Sequence, residues 1–490
     1  MQFLIPSPDL IPHDLAARAF LASAEGVPWR CFNHIVDGRL VIRRDTDEPA
    51  RLHAPWDSGN GQWFLSTCTL SDGASPHNLS VELARGTVYR MLQQVEEWRA
   101  ATFNLPPELR QRLTTITHTL AQAVISQHHP EQANELASRV IAECLEWING
   151  AADAFVSEIS RRQAQQRRPV LLACGVPPEQ LDASFASLPQ AFVAAALPLN
   201  WRQVEKTDGQ RDWEVTEQQL QWCKQHDLRS IGGPLFCADA NTIPDWMFLW
   251  DGNFGHMVNY VRHFVKTAVD QFKGRIQLWH CATAVAKPIL KLSDEDQLRM
   301  VAIALEALRE SDDRTPAIVS FDQPWGESLS ERECDLAPIQ MADMLARSEL
   351  GMSAVGLEIN FGYWPGGTPF RDLLQLMRQI DQWTLLGLPI VVFISLPSDM
   401  DCHSATGSRQ ARPYGMGPDA PNPQWQAQEL RRMVSVLLSK RAVQGVVWKQ
   451  WRDRPSQSFP YSGLVDETGR IKPSMQVMSD LRASFLPTEK

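Results

Sequence analysis

The sequence has only five tyrosines, no apolar run of 18 residues and no excess of positive charge. The missing apolar run excludes a membrane-spanning helix. The start, MQFLIPSPDLIPHDL, has neither a basic n-region nor a continuous apolar h-region, so no export signal is expected. A formal net charge of -10 and a pI near 5.7 exclude nucleic acid and anionic membrane surfaces as main partners. The nine cysteines, from Cys31 to Cys402, show no CxxC spacing, and an odd number without that spacing reads as free thiols in a reducing cytoplasm. P-loop, GxSxG and GxGxxG patterns are absent, and no cofactor is expected. Asp399, Asp401 and His403 lie close together in SDMDCH, but such short spacing in a polar loop arises readily by chance, and no metal is expected.

What remains is an ordinary globular composition, 44% apolar and 21% charged, in a 490-residue chain long enough for two or three domains. Tryptophan stands out. Seventeen are present, twelve of them from Trp201 onward. Indole faces stack on sugar rings, and large cores consume indoles too.

Three organisational units follow from the patterning. Residues 1–86 read as a small β-rich domain, with an Asp37-Gly38 turn between apolar runs in Phe32 to Ile42 and a further strand at Trp63 to Leu70. Such a domain serves either as an accessory binding module or for packing and assembly. Residues 87–167 carry three apolar stripes at helical spacing and form a helical bridge. From residue 168 to 486 strand and helix patterns alternate.

Eight strands are predicted in that last unit: Val170 to Cys174, Phe192 to Leu197, Leu228 to Phe236, Ile276 to Ala282, Ala317 to Asp322, Ala354 to Asn360, Ile390 to Leu396 and Val443 to Trp448. Helical patterns separate them, as at Thr216 to His226, Glu295 to Glu310 and Phe370 to Leu386. The count is that of an α/β fold, a (β/α)₈ TIM barrel, whose chemistry sits at the C-terminal ends of the strands. The long Gly- and Pro-rich stretch Pro397 to Gln424, without helical or strand period, reads as either a functional lid or a disordered loop.

Several segments carry a resemblance to a known family. FKGRIQLWHCATA (Phe272 to Ala284) resembles the strand that bears the acid/base glutamate in glycoside hydrolase family 10, the retaining xylanase-type barrels. LNWRQVEKTDGQRDW (Leu199 to Trp213), IGGPLFCADANTIPDW ending in Pro244 and Trp246, and Trp448 with GLVDETGRIKP are similar to further frames of that family, over most of residues 170–480. The resemblance implies the barrel and a carbohydrate ligand. It also exposes two departures: the acid/base glutamate falls on Ala284, and the nucleophile falls on Ser395 of FISLP. Retaining hydrolysis needs two carboxyls about 5 to 5.5 Å apart, so the family's residues do not supply it.

Replacement carboxylates are available. AVGLEINFGYWPGGT places Glu358 and Asn360 at inward positions of the sixth strand by period-two alternation. A buried carboxylate is costly without partners, so Glu358 is the first candidate catalytic residue. Asp322, at the end of the fifth strand, and Glu327, on the following loop, are the second and third, although Asp322 also suits a cap or a buried Arg partner and Glu327 a solvated loop charge. Asn200, Trp201, Trp279, Asn360, Trp364 and Trp448 are the expected sugar contacts; packing is the competing role for the tryptophans. The expected function is therefore glycosidic bond hydrolysis by relocated carboxylates on an oligosaccharide, with a catalytically inactive carbohydrate-binding or scaffold barrel as the alternative.

Overall fold

The computed structural model describes the chain except for residues 7–13, 60, 74, 164–167, 178, 180, 240–241, 286–289, 331–335, 401–411, 414–420, 455–456 and 486–490. Eight parallel strands form its centre: β1 (Leu171–Gly175), β2 (Ala194–Leu197), β3 (Arg229–Gly232), β4 (Leu278–Ala284), β5 (Ala317–Asp322), β6 (Ala354–Asn360), β7 (Ile390–Ser395) and β8 (Val443–Trp448). Each pairs with its sequence neighbours, β8 pairs with β1 and β3 with β4, so the sheet closes into a (β/α)₈ barrel.

The predicted strands match in place, and three match end to end. The others shift by one or two residues at one or both ends, except the third strand, where the difference is largest because Gly233, with a φ of +130°, ends β3 early. A Cβ there would meet the His280 carbonyl oxygen at 2.0 Å, so only glycine allows β3 to leave the barrel at this point. The chain resumes pairing with β4 at Phe236–Cys237.

Alternation along the strands divides two cores. Ala173, Ala194, Ile231, Ile318, Ala354, Val391, Phe393 and Val447 fill the barrel interior. The opposite parity, including Trp279 and Trp448, packs outward with the helices in the main apolar cluster. Interior side chains at the N-terminal end are small and apolar; toward the C-terminal end they turn polar, and the site begins there.

The N-terminal segment forms two small sheets. In one, the strands run in the order Phe32–Val36, Arg39–Arg43, Gln2–Leu4 and His77–Asn78; the other contains Phe20–Ala22, Arg51–Asp57 and Gln62–Ser66. Positive φ at Asp37 and Gly38 makes the tight turn foreseen there. Three helices follow: α1 (Leu79–Ala100), α2 (Pro107–Ile125) and α3 (Pro130–Gln163). The first starts earlier than residue 87 because Asn78 caps it, accepting from the Val81 amide. Phe64 N–H donates to the Phe370 carbonyl at 2.8 Å, and Arg90 of α1 pairs with Asp372 at 3.3 Å, so both N-terminal units are tied to the barrel.

Candidate functional site

Glu358 points into the polar end of the barrel, as its parity on β6 requires, and is almost fully buried. Its Oε1 accepts from Ser320 Oγ at 2.8 Å and Thr283 Oγ1 at 3.3 Å. Its Oε2 is held by the ammonium of Lys449, the first residue after β8. Lys449 thus reaches across β7 to a carboxylate on β6. The network continues to His280 of β4, whose Nε2 lies 2.8 Å from Ser320 Oγ and 3.2 Å from Thr283 Oγ1, and whose ring stacks on Phe393 at 4.8 Å.

Charge balance explains why the buried acid is tolerated. Burial pushes the Glu358 carboxyl up, but the Lys449 ammonium, His280 and the Ser320 hydroxyl outweigh it and hold the group below its ordinary value. Burial likewise pushes Lys449 down, while Glu358 and, more weakly, Asp322 raise it above its usual range. Both partners are therefore ionised at neutral pH. Burial lowers His280 to about 4 despite the pull of Glu358, so its imidazole is neutral.

Asp322 is aligned with Glu358 in the β5–β6 register and, by that parity, faces the same interior. These two candidate carboxylates are brought together with Lys449. Glu327 is not part of the network. It lies buried against Arg371 at 3.1 Å, and that guanidinium stacks over Phe64 at 4.8 Å and Trp325 at 5.0 Å, joining the N-terminal segment to the barrel. The loop charge expected at Glu327 is thus a buried structural ion pair, because the N-terminal sheet covers the loop.

The expected sugar contacts separate into two groups. Asn360 and Ser395 are aligned neighbours on β6 and β7, both buried, and Asn360 Oδ1 and Nδ2 and Ser395 Oγ have no hydrogen-bond partner among the described residues. Asn200 caps a short helix through the Gln203 amide and lines the open cleft beside Lys449. The tryptophans take packing roles. Trp279 is fully buried on the outer side of β4 and donates to Asp312 at 3.0 Å. Trp448 donates to the Ser462 carbonyl at 3.0 Å, and Trp201 stacks on Phe264 while donating to Glu205 at 2.8 Å. Trp364 lies under the Arg18 guanidinium at 5.3 Å, a contact with the N-terminal segment.

Sequence reasoning missed Lys449, His280, Ser320 and Thr283. The signal for Ser320 was present, since it shares the parity of Asp322; Lys449 lies just outside a predicted strand and gives no periodic signal. Gly175 makes room for it: a Cβ there would meet the Lys449 carbonyl oxygen at 2.1 Å. Above Lys449 lies an open cleft of about 560 Å³ over the ends of β1, β2 and β8. Of the suggested metal ligands, Asp401 and His403 lie outside the described residues, as does most of the lid stretch; among the described residues no group of three metal-ligating side chains occurs. No described helix is long and apolar enough to cross a membrane. Cys31, Cys68, Cys144, Cys174, Cys223, Cys237 and Cys281 are free, while Cys334 and Cys402 lie outside the described residues.

The structure is thus a closed (β/α)₈ barrel with a polar interior network at its C-terminal end. Residues 191–287, from β2 into the segment after β4, match glycosyl hydrolase family 10, so the resemblance read from the sequence holds for that part of the chain. Among solved structures, native xylanase 10B from Thermotoga maritima is similar at 13% identity and a TM-score of 0.49, covering 66% of this chain and 97% of its own. Xylanase 10B from Thermotoga petrophila RKU-1 in complex with xylobiose is similar at 14% identity and a TM-score of 0.47, over 67% and 95%. Xylanase B from Clostridium stercorarium F9 gives 16% identity and 0.49, over 66% and 99%. No curated protein matches the sequence.

Proposed function

We propose that this protein binds a carbohydrate at the C-terminal mouth of the barrel and that the Glu358–Lys449 ion pair stands in place of a catalytic carboxylate pair. One observation carries this reading: both Glu358 oxygens are engaged, one by an ammonium and one by two hydroxyls, while positions 284 and 395 hold alanine and serine. A nucleophile or general base needs an accessible lone pair, and ground-state pairing of this kind lowers its basicity. The unpartnered Asn360 and Ser395 side chains, next to this network, suit sugar hydroxyls. The xylobiose held by one of the similar xylanases points to the same ligand class.

A second reading has its own support. Asp322 is in register with Glu358 and contributes to the rise of Lys449, so hydrolysis with Glu358 as nucleophile or base and Asp322 as acid remains the rival. Reducing-sugar release and calorimetric binding, measured on one oligosaccharide panel with wild type and Glu358→Gln, separate the two. Binding by wild type without release is expected. Release by wild type that is lost in Glu358→Gln, with the fold intact, would establish the hydrolase.

In this reading residues 1–86 and 87–167 serve assembly around the barrel of residues 168–486. The free thiols support the reducing, cytoplasmic setting expected from the sequence.

A further inference from the structure

The cleft above Lys449 differs in charge from the chain as a whole. Its lining includes Arg202, Lys206, Lys449, Arg452 and Arg454 against Glu179 and Asp245, in a chain whose formal charge is -10. Three of these cations pair with carboxylates at the rim: Arg202 with Asp245 at 2.7 Å, Arg452 with Asp182 at 2.7 Å, and Arg454 with Glu179. In every pair the guanidinium is the more buried partner, 26–41% exposed against 47–75% for the carboxylate. The acids lean into solvent and the guanidiniums form the wall.

Ion pairs this exposed contribute little to stability. An incoming anion can therefore displace a rim carboxylate at small cost and gain a planar, bidentate partner that is better shielded from water. Lys206 makes no ion pair among the described residues and adds an uncompensated charge. Asn200, Gln203 and Gln457, in the same wall, offer amide groups to neutral hydroxyls. Resting on the carbohydrate-binding reading above, we propose that this cleft selects an anionic oligosaccharide, one bearing carboxylate or sulfate groups, over its neutral counterpart.

The test is calorimetric titration of the full chain with three oligosaccharides of equal length: a uronic-acid oligomer, its carboxyl-reduced neutral form and a sulfated neutral form. An anionic ligand should bind at least about tenfold tighter than the neutral one, as one charge-assisted bidentate contact implies. That margin should shrink as salt rises from about 50 mM to about 500 mM. The uronic and sulfated arms tell which anion is preferred. Arg202→Gln combined with Arg454→Gln should remove the margin while retaining neutral binding, with an unchanged melting curve as the control for folding. Equal affinity for charged and neutral forms overturns the anionic preference and leaves the carbohydrate-binding reading standing, whereas equal competition by a short polyaspartate overturns the selection of an oligosaccharide by this cleft. Absence of binding by all three sugars overturns both.

Discussion

Lys449, one residue past β8, bridges the strand between to reach Glu358 on β6, and this pair is the electrostatic centre of the barrel's C-terminal interior. Removing the ammonium alone leaves a buried carboxylate with only hydroxyl donors. We expect Lys449→Met to destabilise the fold by about 2 to 3 kcal/mol, somewhat less than the roughly 3 to 5 kcal/mol of a fully buried broken pair because Lys449 keeps some solvent contact. The double variant Lys449→Met/Glu358→Leu should recover most of that loss. Denaturant midpoints for the four-member cycle check it, and additive losses would show that the pair is not coupled.

His280 makes stability depend on pH. Its folded value of about 4 lies below the ordinary 6.5, so between those limits the unfolded chain binds the proton and the folded chain does not. Its contribution is complete above about pH 6.5 and falls as pH drops toward 4. Glu358, also held below its ordinary value, loses its contribution as pH falls further, through its folded value. Unfolding free energies measured from pH 7 to pH 4 should fall in wild type and fall less steeply in His280→Asn.

Ser395 and Asn360 separate stability from ligand recognition. The Ser395 hydroxyl has no partner among the described residues, so Ser395→Ala should change stability by less than about 0.5 kcal/mol. If a sugar hydroxyl fills the gap, the same change should weaken oligosaccharide binding several-fold, and Asn360→Ala should do so more strongly because it removes both a donor and an acceptor. Binding that is indifferent to both changes would place the ligand elsewhere.

Glu327 offers the opposite test. Arg371→Met strands its carboxylate between barrel and N-terminal sheet, and a loss of about 3 to 5 kcal/mol is expected. The conservative Glu327→Gln should cost less and leave sugar affinity unchanged. A melting series with parallel binding data distinguishes this structural role from the site chemistry of Glu358.

The eight strands were legible because each is a short apolar run bounded by turn residues, parity sent Glu358 and Asn360 inward, and Asp322 was placed by its position at the strand end. The same parity, applied to Trp279 and Trp448, places them on the outer face of their strands, where their indoles are buried, in keeping with the packing role that their place within strands favours. Glu327 misled for a different reason: a loop charge looks solvated until a distant segment covers it, and Phe64, about 260 positions earlier in the chain, does so here.

The sequence by itself determined the barrel, the alanine at position 284 and the serine at position 395, and the presence of one interior acid that required partners. Local periodicity and residue identity suffice for those. Only the tertiary structure decided that the partners are Lys449, Ser320 and Thr283, from three other strands or their ends, because barrel closure brings Glu358 against side chains as far as 91 positions away in the chain. Closure likewise gathers the arginines of the β2 and β8 loops around one cleft, a charge pattern that the chain's acidic total conceals.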